Sequence, residues 1–463
     1  MFATLNKTNY YPNVTMNQFI SFSKKATIEA ASIPSLGFMF IHRAYSLKKR
    51  RMKMSTFQEN LQKYAELAVK VGVNIQKGQT LVINTSIESA EFVRLVVKKA
   101  YQIGANNVVV NWGDDTVTRT KYELAPDEAF MEYPEWRAKE TIALAEEGAA
   151  FMSVVSSSPD LLKGIASERI SNFQKASGTA LSQFRKYVQS DKVSWTVIAV
   201  PSTAWANLVF PDAPEESKVE LLWDAIFKAI RVDQEDPIQA WKEHDKTLHT
   251  KVDYLNGKAY KKLHYTAPGT DLTIELPEGH LWCGAGSINE KGFEFMANMP
   301  TEGVFTVPHK TVVNGTVSST KPLSYGGNII NNFSVTFKDG RIVEVKAEEG
   351  EEILRQLVET DEGSHYLGEV ALVPHRSPIS QSNILYYNTL FDENASNHLA
   401  IGSAYAFCIE GGKKMSSEEL AEKGLNDSIT HVDFMIGSDK MNIDGITADG
   451  TVEPVFRNGD WAF

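Results

Sequence analysis

The stretch from Leu390 to Ile436 decides how the rest of the chain is organised. It reads LFDENASNH over residues 390–398 and, after a polar insert, NDSITHVDFMI over residues 426–436. Residues i and i+2 of an extended strand point to the same face, so His431 and Asp433 are predicted to project together. An imidazole and a carboxylate on one face form a pair of ligands for one metal ion or for two adjacent ions.

Three further side chains extend this candidate metal site. His398 ends the first segment, and Glu302 and Glu369 each abut a short apolar run that is predicted to form a buried strand. Glutamate is seldom buried unless it is paired or binds a metal. Two Glu, two His and one Asp form a hard set of nitrogen and oxygen donors. Such a set favours Zn, Co or Mn in a two-metal hydrolytic site over a structural zinc site, in which Cys is common.

Each of these residues also has an ordinary structural interpretation. Taken alone, Glu302 and Glu369 would be edge or ion-pair residues, and His398 would be a loop or capping residue. Tyr405, in the sequence GSAYAF, would pack as a core aromatic side chain. Only the occurrence of these residues together, in a defined order, makes the metal-site interpretation the stronger one.

The remaining motifs narrow the choice of enzyme class. Lys321 and Tyr325, in TKPLSYGG, could help to position a substrate, and a hairpin turn explains them as well. The sequence contains no GxSxG and no HExxH. Serine hydrolases with a nucleophile elbow and zinc proteases of the HExxH type therefore have no support.

Five blocks of the sequence resemble the signature blocks of the metallo-aminopeptidases known as aminopeptidase T, AmpS and PepS. The blocks are NMPTEGVFTVP (298–308), GTVSSTKPLSYGGNI (315–329), SHYLGEVALV (364–373), LFDENASNHLAIG (390–402) and SITHVDFMIG (428–437). The resemblance keeps the order of the blocks and runs from about Met54 to the C-terminus.

The resemblance implies a dinuclear metal site built from Glu302, Glu369, His398, His431 and Asp433. It also implies catalytic roles for Glu302, Glu369 and Tyr405, in which one of the two glutamates carries a proton to the leaving amine. Members of the family often have a second acidic residue after the first Glu, where this chain has Gly303. A homodimer whose subunits enclose the active sites is a further implication.

The predicted function is that of a metal-dependent aminopeptidase, which releases N-terminal amino acids from short peptides through a metal-activated water. The cofactors expected are two divalent ions, Zn or Co, with Mn or Mg as alternatives. A second hypothesis is another two-metal amidohydrolase or esterase on the same scaffold. A third is a non-catalytic metal-binding or interaction protein, which the intact ligand set disfavours.

Composition sets the expected partners and compartment. The 463 residues carry a formal net charge of −11, which disfavours nucleic acid or an anionic membrane as a partner. The two cysteines, Cys283 and Cys408, form no CxxC pair and no disulfide framework, so a reducing cytoplasm is expected.

The order of predicted elements divides the chain in three. Alternating strands and helices over residues 54–250 predict an α/β domain with a largely parallel sheet. The predicted strands cover residues 80–84, 108–112, 151–155 and 195–200, and one of the predicted helices covers residues 167–189. Short strands and turn pairs such as Asn314-Gly315 predict that residues 251–463 form a β-rich domain, which carries the metal site. Residues 1–53 lack an apolar period and end in a basic run. They are expected to be a poorly ordered extension, with the native start at Met54 or Met52.

Overall fold

The computed structural model describes residues 56–463. Within this range, Leu61–Phe463 form one compact unit. The extension predicted for residues 1–53 lies outside the described residues. None of the described helices is both long and apolar enough to span a membrane.

Four parallel strands form the sheet of the N-terminal part. They are β1 (Thr80–Ser86), β2 (Asn107–Gly113), β3 (Ala150–Val155) and β4 (Trp195–Ala199), in the spatial order β2-β1-β3-β4. Every neighbouring pair is parallel. Parallel neighbours need a long crossover connection, and helices supply it here. The prediction of an N-terminal α/β fold with a parallel sheet is therefore confirmed.

The helices of this part lie between and after the parallel strands. They are α1 (56–67), α2 (Ala90–Ile103), α3 (Asp115–Leu124), α4 (Glu135–Glu146), α5 (Ser167–Ala180), α6 (Ser182–Gln189), α7 (Thr203–Val209), α8 (Glu215–Ala229) and α9 (Pro237–Lys258). Helix α9 begins after Asp236, whose side chain caps the backbone N–H of Gln239, with Pro237 in the first turn. The helix runs through residue 250, and the division at that residue remains a prediction.

A large antiparallel sheet begins after α9. It contains β5 (Lys262–Ala267), β6 (Thr270–Glu275), β11 (Val313–Ser318), β12 (Leu323–Tyr325), β13 (Asn328–Lys338), β14 (Arg341–Glu349), β18 (Asn442–Ile446), β19 (Val452–Arg457) and β20 (Asp460–Trp461). The spatial order is β12-β13-β11-β6-β5-β18-β19-β20, with β14 paired to β13. This sheet confirms the prediction that the C-terminal part is rich in β-structure.

A second antiparallel sheet carries the candidate site. It contains β7 (Cys283–Gly284), β10 (Val304–Thr306), β15 (Leu367–Leu372), β16 (His398–Gly402) and β17 (His431–Met435), in the order β17-β16-β15-β10-β7. Strands β8 (Gly286–Ile288) and β9 (Glu294–Met296) pair with each other. The short helices of this region are α10 (Glu351–Val358), α11 (Pro378–Gln381), α12 (Thr389–Asp392) and α13 (Ser417–Glu422).

One apolar cluster joins the two antiparallel sheets. The five-stranded sheet contributes Val370, Leu372, Leu399, Ile401 and Phe434, and the larger sheet contributes Leu263, Leu272, Val317, Val335 and Ile443. Because successive side chains alternate between the faces of a strand, this packing turns the intervening residues of β15, β16 and β17 away from the core. Four of the five predicted ligands, Glu369, His398, His431 and Asp433, occupy that opposite face.

Candidate metal centre

Three adjacent antiparallel strands, β15, β16 and β17, hold the candidate metal centre. Their register places Glu369 opposite Ala400, and Ala400 opposite Asp433. On the same face, His431 lies opposite Gly402. Because Ala400 and Gly402 are small, the surface of the middle strand leaves room between the side chains that converge from its neighbours.

A β-bulge brings Glu369 onto this face. The pairing of β15 with β16 shifts between Leu367 and Glu369. Gly368 lies at the shift, and a Cβ atom added there would be 2.3 Å from the carbonyl oxygen of Ser403 and 2.4 Å from that of Gly402. Backbone oxygens cannot yield to such a contact, so glycine is required at the position from which the glutamate is aimed.

The ligand atoms of four predicted residues converge. Nε2 of His398 lies 3.4 Å from Oε1 of Glu369, and Nε2 of His431 lies 3.5 Å from Oε2 of the same carboxylate. Nε2 of His431 is also 3.7 Å from Oδ1 of Asp433. Single ligand atoms of Glu369, His398 and Asp433 lie within 4.8 Å of one another, which is a separation that one metal ion can bridge.

Backbone carbonyls fix the orientation of both imidazoles. Nδ1 of His398 donates to the carbonyl oxygens of Glu393 and Ser396, each at 3.0 Å. Nδ1 of His431 donates to the carbonyl oxygen of Ser403 at 2.7 Å. With Nδ1 of each ring donating to a backbone carbonyl, Nε2 is the ring nitrogen that faces the cluster. A hydrogen bond from the second ring nitrogen to a backbone carbonyl is typical of metal-binding histidines.

The charges of the cluster depend strongly on one another. Burial disfavours the charged form of Glu369, but the imidazoles of His398 and His431 lower the pKa of its carboxyl to about 2. Burial likewise opposes protonation of His398, yet its contact with Glu369 and the nearby carboxylates raise its pKa to about 10. The pKa of His431 rises to about 9 for the same reasons, against the effect of burial. The carboxylates therefore favour a cation at this point.

Glu393 belongs to the same cavity and was missed by the sequence analysis. Its side chain lines the cavity with those of Glu369 and Asp433. Burial, and then the charge of Asp433, raise the pKa of Glu393 to about 8. Its neighbour Asp392 instead accepts hydrogen bonds from two backbone N–H groups, each at 3.0 Å. The sequence has two adjacent acidic residues here, and only the turn that follows α12 shows which of them reaches the site.

Glu302 makes its contacts away from the other predicted ligands. Its two oxygens lie 2.8 and 3.0 Å from Nη2 of Arg231. Nε2 of His244 is 3.6 Å from Oε2 and donates a hydrogen bond to the carbonyl oxygen of Thr301 at 2.7 Å. Burial, followed by the charge of Arg231, lowers the pKa of His244 to about 4, so this ring is neutral. The Glu302 carboxyl is therefore part of a buried pair with an arginine.

Glu302 lies two residues before β10, and its side chain does not enter the cavity that its neighbours line. Gly303 and Phe305 line the cavity, and the side chain of Val304 packs into the core on the other face. Glu302 does not line the cavity. The glutamate nevertheless touches the site through its backbone, because its N–H donates to Oδ1 of Asn394 at 2.7 Å.

Tyr405 lies beside the cluster. Its ring centroid is 4.8 Å from that of His431, and it also packs on Phe305 and Phe407. Burial, followed by the charges of Glu369 and Asp433, raises the pKa of Tyr405 well above its usual value. The phenol is therefore neutral and retains its proton as a hydrogen-bond donor.

Known proteins resemble this chain over most of its length. A family profile described as thermophilic metalloprotease (M29) matches residues 57–461. Aminopeptidase AmpS of Bacillus subtilis (strain 168) is 68% identical over 410 residues, which cover 89% of this chain and all of the relative. Aminopeptidase 2 of Geobacillus stearothermophilus is 53% identical over 410 residues, with 89% and 99% covered. The structure of wild-type AmpT from Thermus thermophilus matches with a TM-score of 0.80 at 42% identity, and covers 88% of this chain and 100% of that one.

Proposed function

This chain belongs to the thermophilic metalloprotease (M29) family and is a metal-dependent aminopeptidase, and we propose that Glu369, His398, His431 and Asp433 hold its metal. The observation that supports this ligand set most directly is the convergence of both imidazole Nε2 atoms on the Glu369 carboxylate, with each Nδ1 committed to a backbone carbonyl. Such an arrangement is suited to binding a cation and has no evident purpose in a purely structural core.

The donor set fits a hard or borderline divalent ion. Oδ1 of Asp433 is buried and has no hydrogen-bond partner among the described residues, so it remains available as a ligand. We propose two ions, Zn or Co, with Mn or Mg as alternatives, and the Glu393 carboxyl as an additional donor or proton acceptor. The chemistry that these residues would gain from a bound divalent ion is polarisation of the peptide carbonyl and a lowered pKa of water.

The side chains around the ligands supply the remaining chemistry. Neutral Tyr405 can donate its phenolic hydrogen to the oxyanion that develops at the scissile carbonyl. The Glu369 oxygens are engaged by two imidazoles and those of Glu302 by Arg231, so we propose that Glu393 passes the proton to the leaving amine. We propose that the free α-amino group of the substrate binds the metal or an acidic side chain of the cavity, which limits cleavage to the first residue.

We also propose a homodimer located in the cytoplasm. The resemblance to the aminopeptidases implies the dimer, and the two free cysteines support a reducing compartment. Size-exclusion chromatography with light scattering on the full chain measures the first point. A monomeric mass at micromolar concentration would contradict the assembly without affecting the chemistry.

The activity is tested with amino-acid p-nitroanilides and their N-acetylated counterparts. We expect hydrolysis of the free amines only, since the proposed site binds the free α-amino group of the substrate. Equal rates on both series would favour another amidohydrolase. The measurement is repeated after chelation, and loss of activity on the free amines ties the reaction to the metal.

A further inference from the structure

Strand β17 is an edge strand whose outer side is free. It pairs with β16 alone among the strands of residues 56–463. Ser403 N–H donates to the carbonyl oxygen of Thr430 and Ile436 N–H to that of Asn397, each at 2.8 Å. Since the hydrogen-bonding direction alternates along an antiparallel strand, the intervening residues of β17 direct their N–H and C=O groups outward. These residues include His431 and Asp433, both of which are predicted ligands.

A groove of about 450 Å³ runs along this free edge. Helices α5 and α6 form one wall, and residues 429–432 form the other. Leu181, Phe184 and Val188 make the helical wall largely apolar. His431 lines both this groove and the cavity of the metal centre, so the two spaces meet at a ligand residue.

One cation in the groove has no anionic partner in direct contact. The guanidinium of Arg185 donates to the carbonyl oxygen of Ser428 at 3.3 Å and to that of Gly178 at 3.1 Å. The charges of Asp427 and Asp361 act on it, but neither forms an ion pair with it among the described contacts. The guanidinium group has five N–H donors, so several remain for an anion that enters the groove.

We propose that this groove binds the part of the peptide substrate that follows the cleaved bond, with the C-terminal carboxylate of the peptide at Arg185. The inference rests on the proposed aminopeptidase activity and assigns its substrate class as short peptides with a free C-terminus. The peptide lies extended beside β17 and receives main-chain hydrogen bonds from the outward groups of His431. Strand addition of this kind is independent of side-chain identity, while the apolar wall accommodates the alternate side chains.

Charge complementarity decides between possible occupants. A carboxylate can accept two parallel hydrogen bonds from a guanidinium, and such charge-assisted pairs are about twice as strong as neutral ones. Tyr325 lines the groove and its hydroxyl donates to Oε1 of Gln174 at 2.8 Å, which keeps this polar group occupied. Arg185 is thus the group in this lining that offers an unsatisfied positive charge to a ligand.

The test compares peptides that differ only at the C-terminus. Di-, tri- and tetrapeptides with one N-terminal residue are offered to the full-length, metal-loaded enzyme as free acids and as C-terminal amides. We expect kcat/KM to favour the acid by about tenfold or more at the length that reaches Arg185, and less at other lengths. An enzyme that treats acids and amides alike at every length would overturn the proposal.

Substitutions assign the preference to one residue. Arg185→Met should bring the acid-to-amide ratio close to one, and Arg185→Lys should retain part of it. Lys186→Met, which removes an exposed cation from the next position, should keep the wild-type ratio. A full preference in Arg185→Met, with folding checked by circular dichroism, would contradict the assignment.

Failure of the groove and failure of the activity are distinguishable. Wild-type hydrolysis of an amino-acid p-nitroanilide depends on the metal centre and involves no peptide carboxylate. Activity on this substrate without discrimination between acids and amides removes the groove and leaves the proposed function intact. Absence of activity on every free-amine substrate removes the proposed function itself.

Discussion

Strands β3 and β15 are both largely buried, but they bury different kinds of side chain. In β3 the buried side chains are apolar, and Phe151, Met152 and Val154 are at most 4% exposed. All six residues of β15 are buried, and among them is Glu369, whose carboxylate meets two imidazoles. The parallel sheet needs only apolar volume, whereas the five-stranded sheet needs apolar volume on one face and compensated charge on the other.

The two strands differ in the substitutions that they tolerate. Apolar cores accept changes that preserve volume, because burial of apolar surface has no directional requirement. A buried carboxylate is costly unless a cation or a set of hydrogen bonds compensates it. Mutations in the parallel sheet should therefore act on stability, and mutations on the polar face of β15–β17 should act on metal binding and catalysis.

Removal of a metal-binding side chain should have the largest effect. We expect His431→Ala and Glu369→Gln each to lower kcat by several orders of magnitude, since both the Lewis acid and the activated water depend on the ligand set. The loss is on the order of several kcal/mol of transition-state stabilisation. Kinetics on a p-nitroanilide substrate and metal content by mass spectrometry measure the outcome.

A matched variant shows whether the location of the histidine matters. His264 lies on β5, where its Nε2 is 2.9 Å from the exposed Asp271 carboxylate. His264→Ala makes the same chemical change outside the cluster and should leave turnover near that of the wild type. Near wild-type turnover in metal-loaded His431→Ala would instead remove this residue from the site.

Metal removal tests the polar face as a whole. Dialysis against a strong chelator should abolish activity, and Co or Zn should restore it. The melting temperature should fall as well, because a ligand that binds only the folded state stabilises it. Calorimetry with and without metal measures this change. Full activity at a verified metal content of nil would contradict the metal-dependent mechanism.

Glu302→Gln sharpens the comparison, because it separates a ligand from an ion-pair residue. Loss of the charge leaves Arg231 buried and unpaired, which should lower the free energy of unfolding by about 3–5 kcal/mol. We expect metal content to remain, since both oxygens contact Arg231. Urea denaturation and metal analysis measure the two quantities.

A surface variant controls for loss of charge alone. Glu123 pairs with Arg119 at an exposed position of α3, and Glu123→Gln should change the free energy of unfolding little. Loss of metal from Glu302→Gln without loss of stability would return Glu302 to the ligand set that the resemblance implies.

The smallest effect is expected in the parallel sheet. Ile83 is fully buried in β1, and Ile83→Val removes a single methylene group. The free energy of unfolding should fall by about 0.5–1.5 kcal/mol, with kcat and metal content unchanged. A loss of metal in this variant would show that packing in the parallel sheet is coupled to the site, and the two regions would then not be separable.

Local sequence patterns were sufficient to predict most of the strands and helices. The strands predicted from Thr80, Val108, Phe151 and Trp195 are all present, because apolar runs of this length between helical periods have few alternatives. The helix predicted as continuous over residues 167–189 is instead two helices that meet at Leu181. Gly178 lies three residues before the break, but an isolated glycine inside a helical period is only a weak signal for one.

The sequence by itself determined the donor types and their pairing in β17, because a spacing of two residues fixes two side chains on one face of any strand. It also indicated His398 and Glu369, whose polar character conflicts with their apolar surroundings. Only the tertiary structure shows where the side chains of Glu302 and Glu393 lie. The first turns toward Arg231, a partner 71 residues away, and the second is brought to the cavity by a turn. Both positions depend on contacts between distant segments, which no local pattern contains.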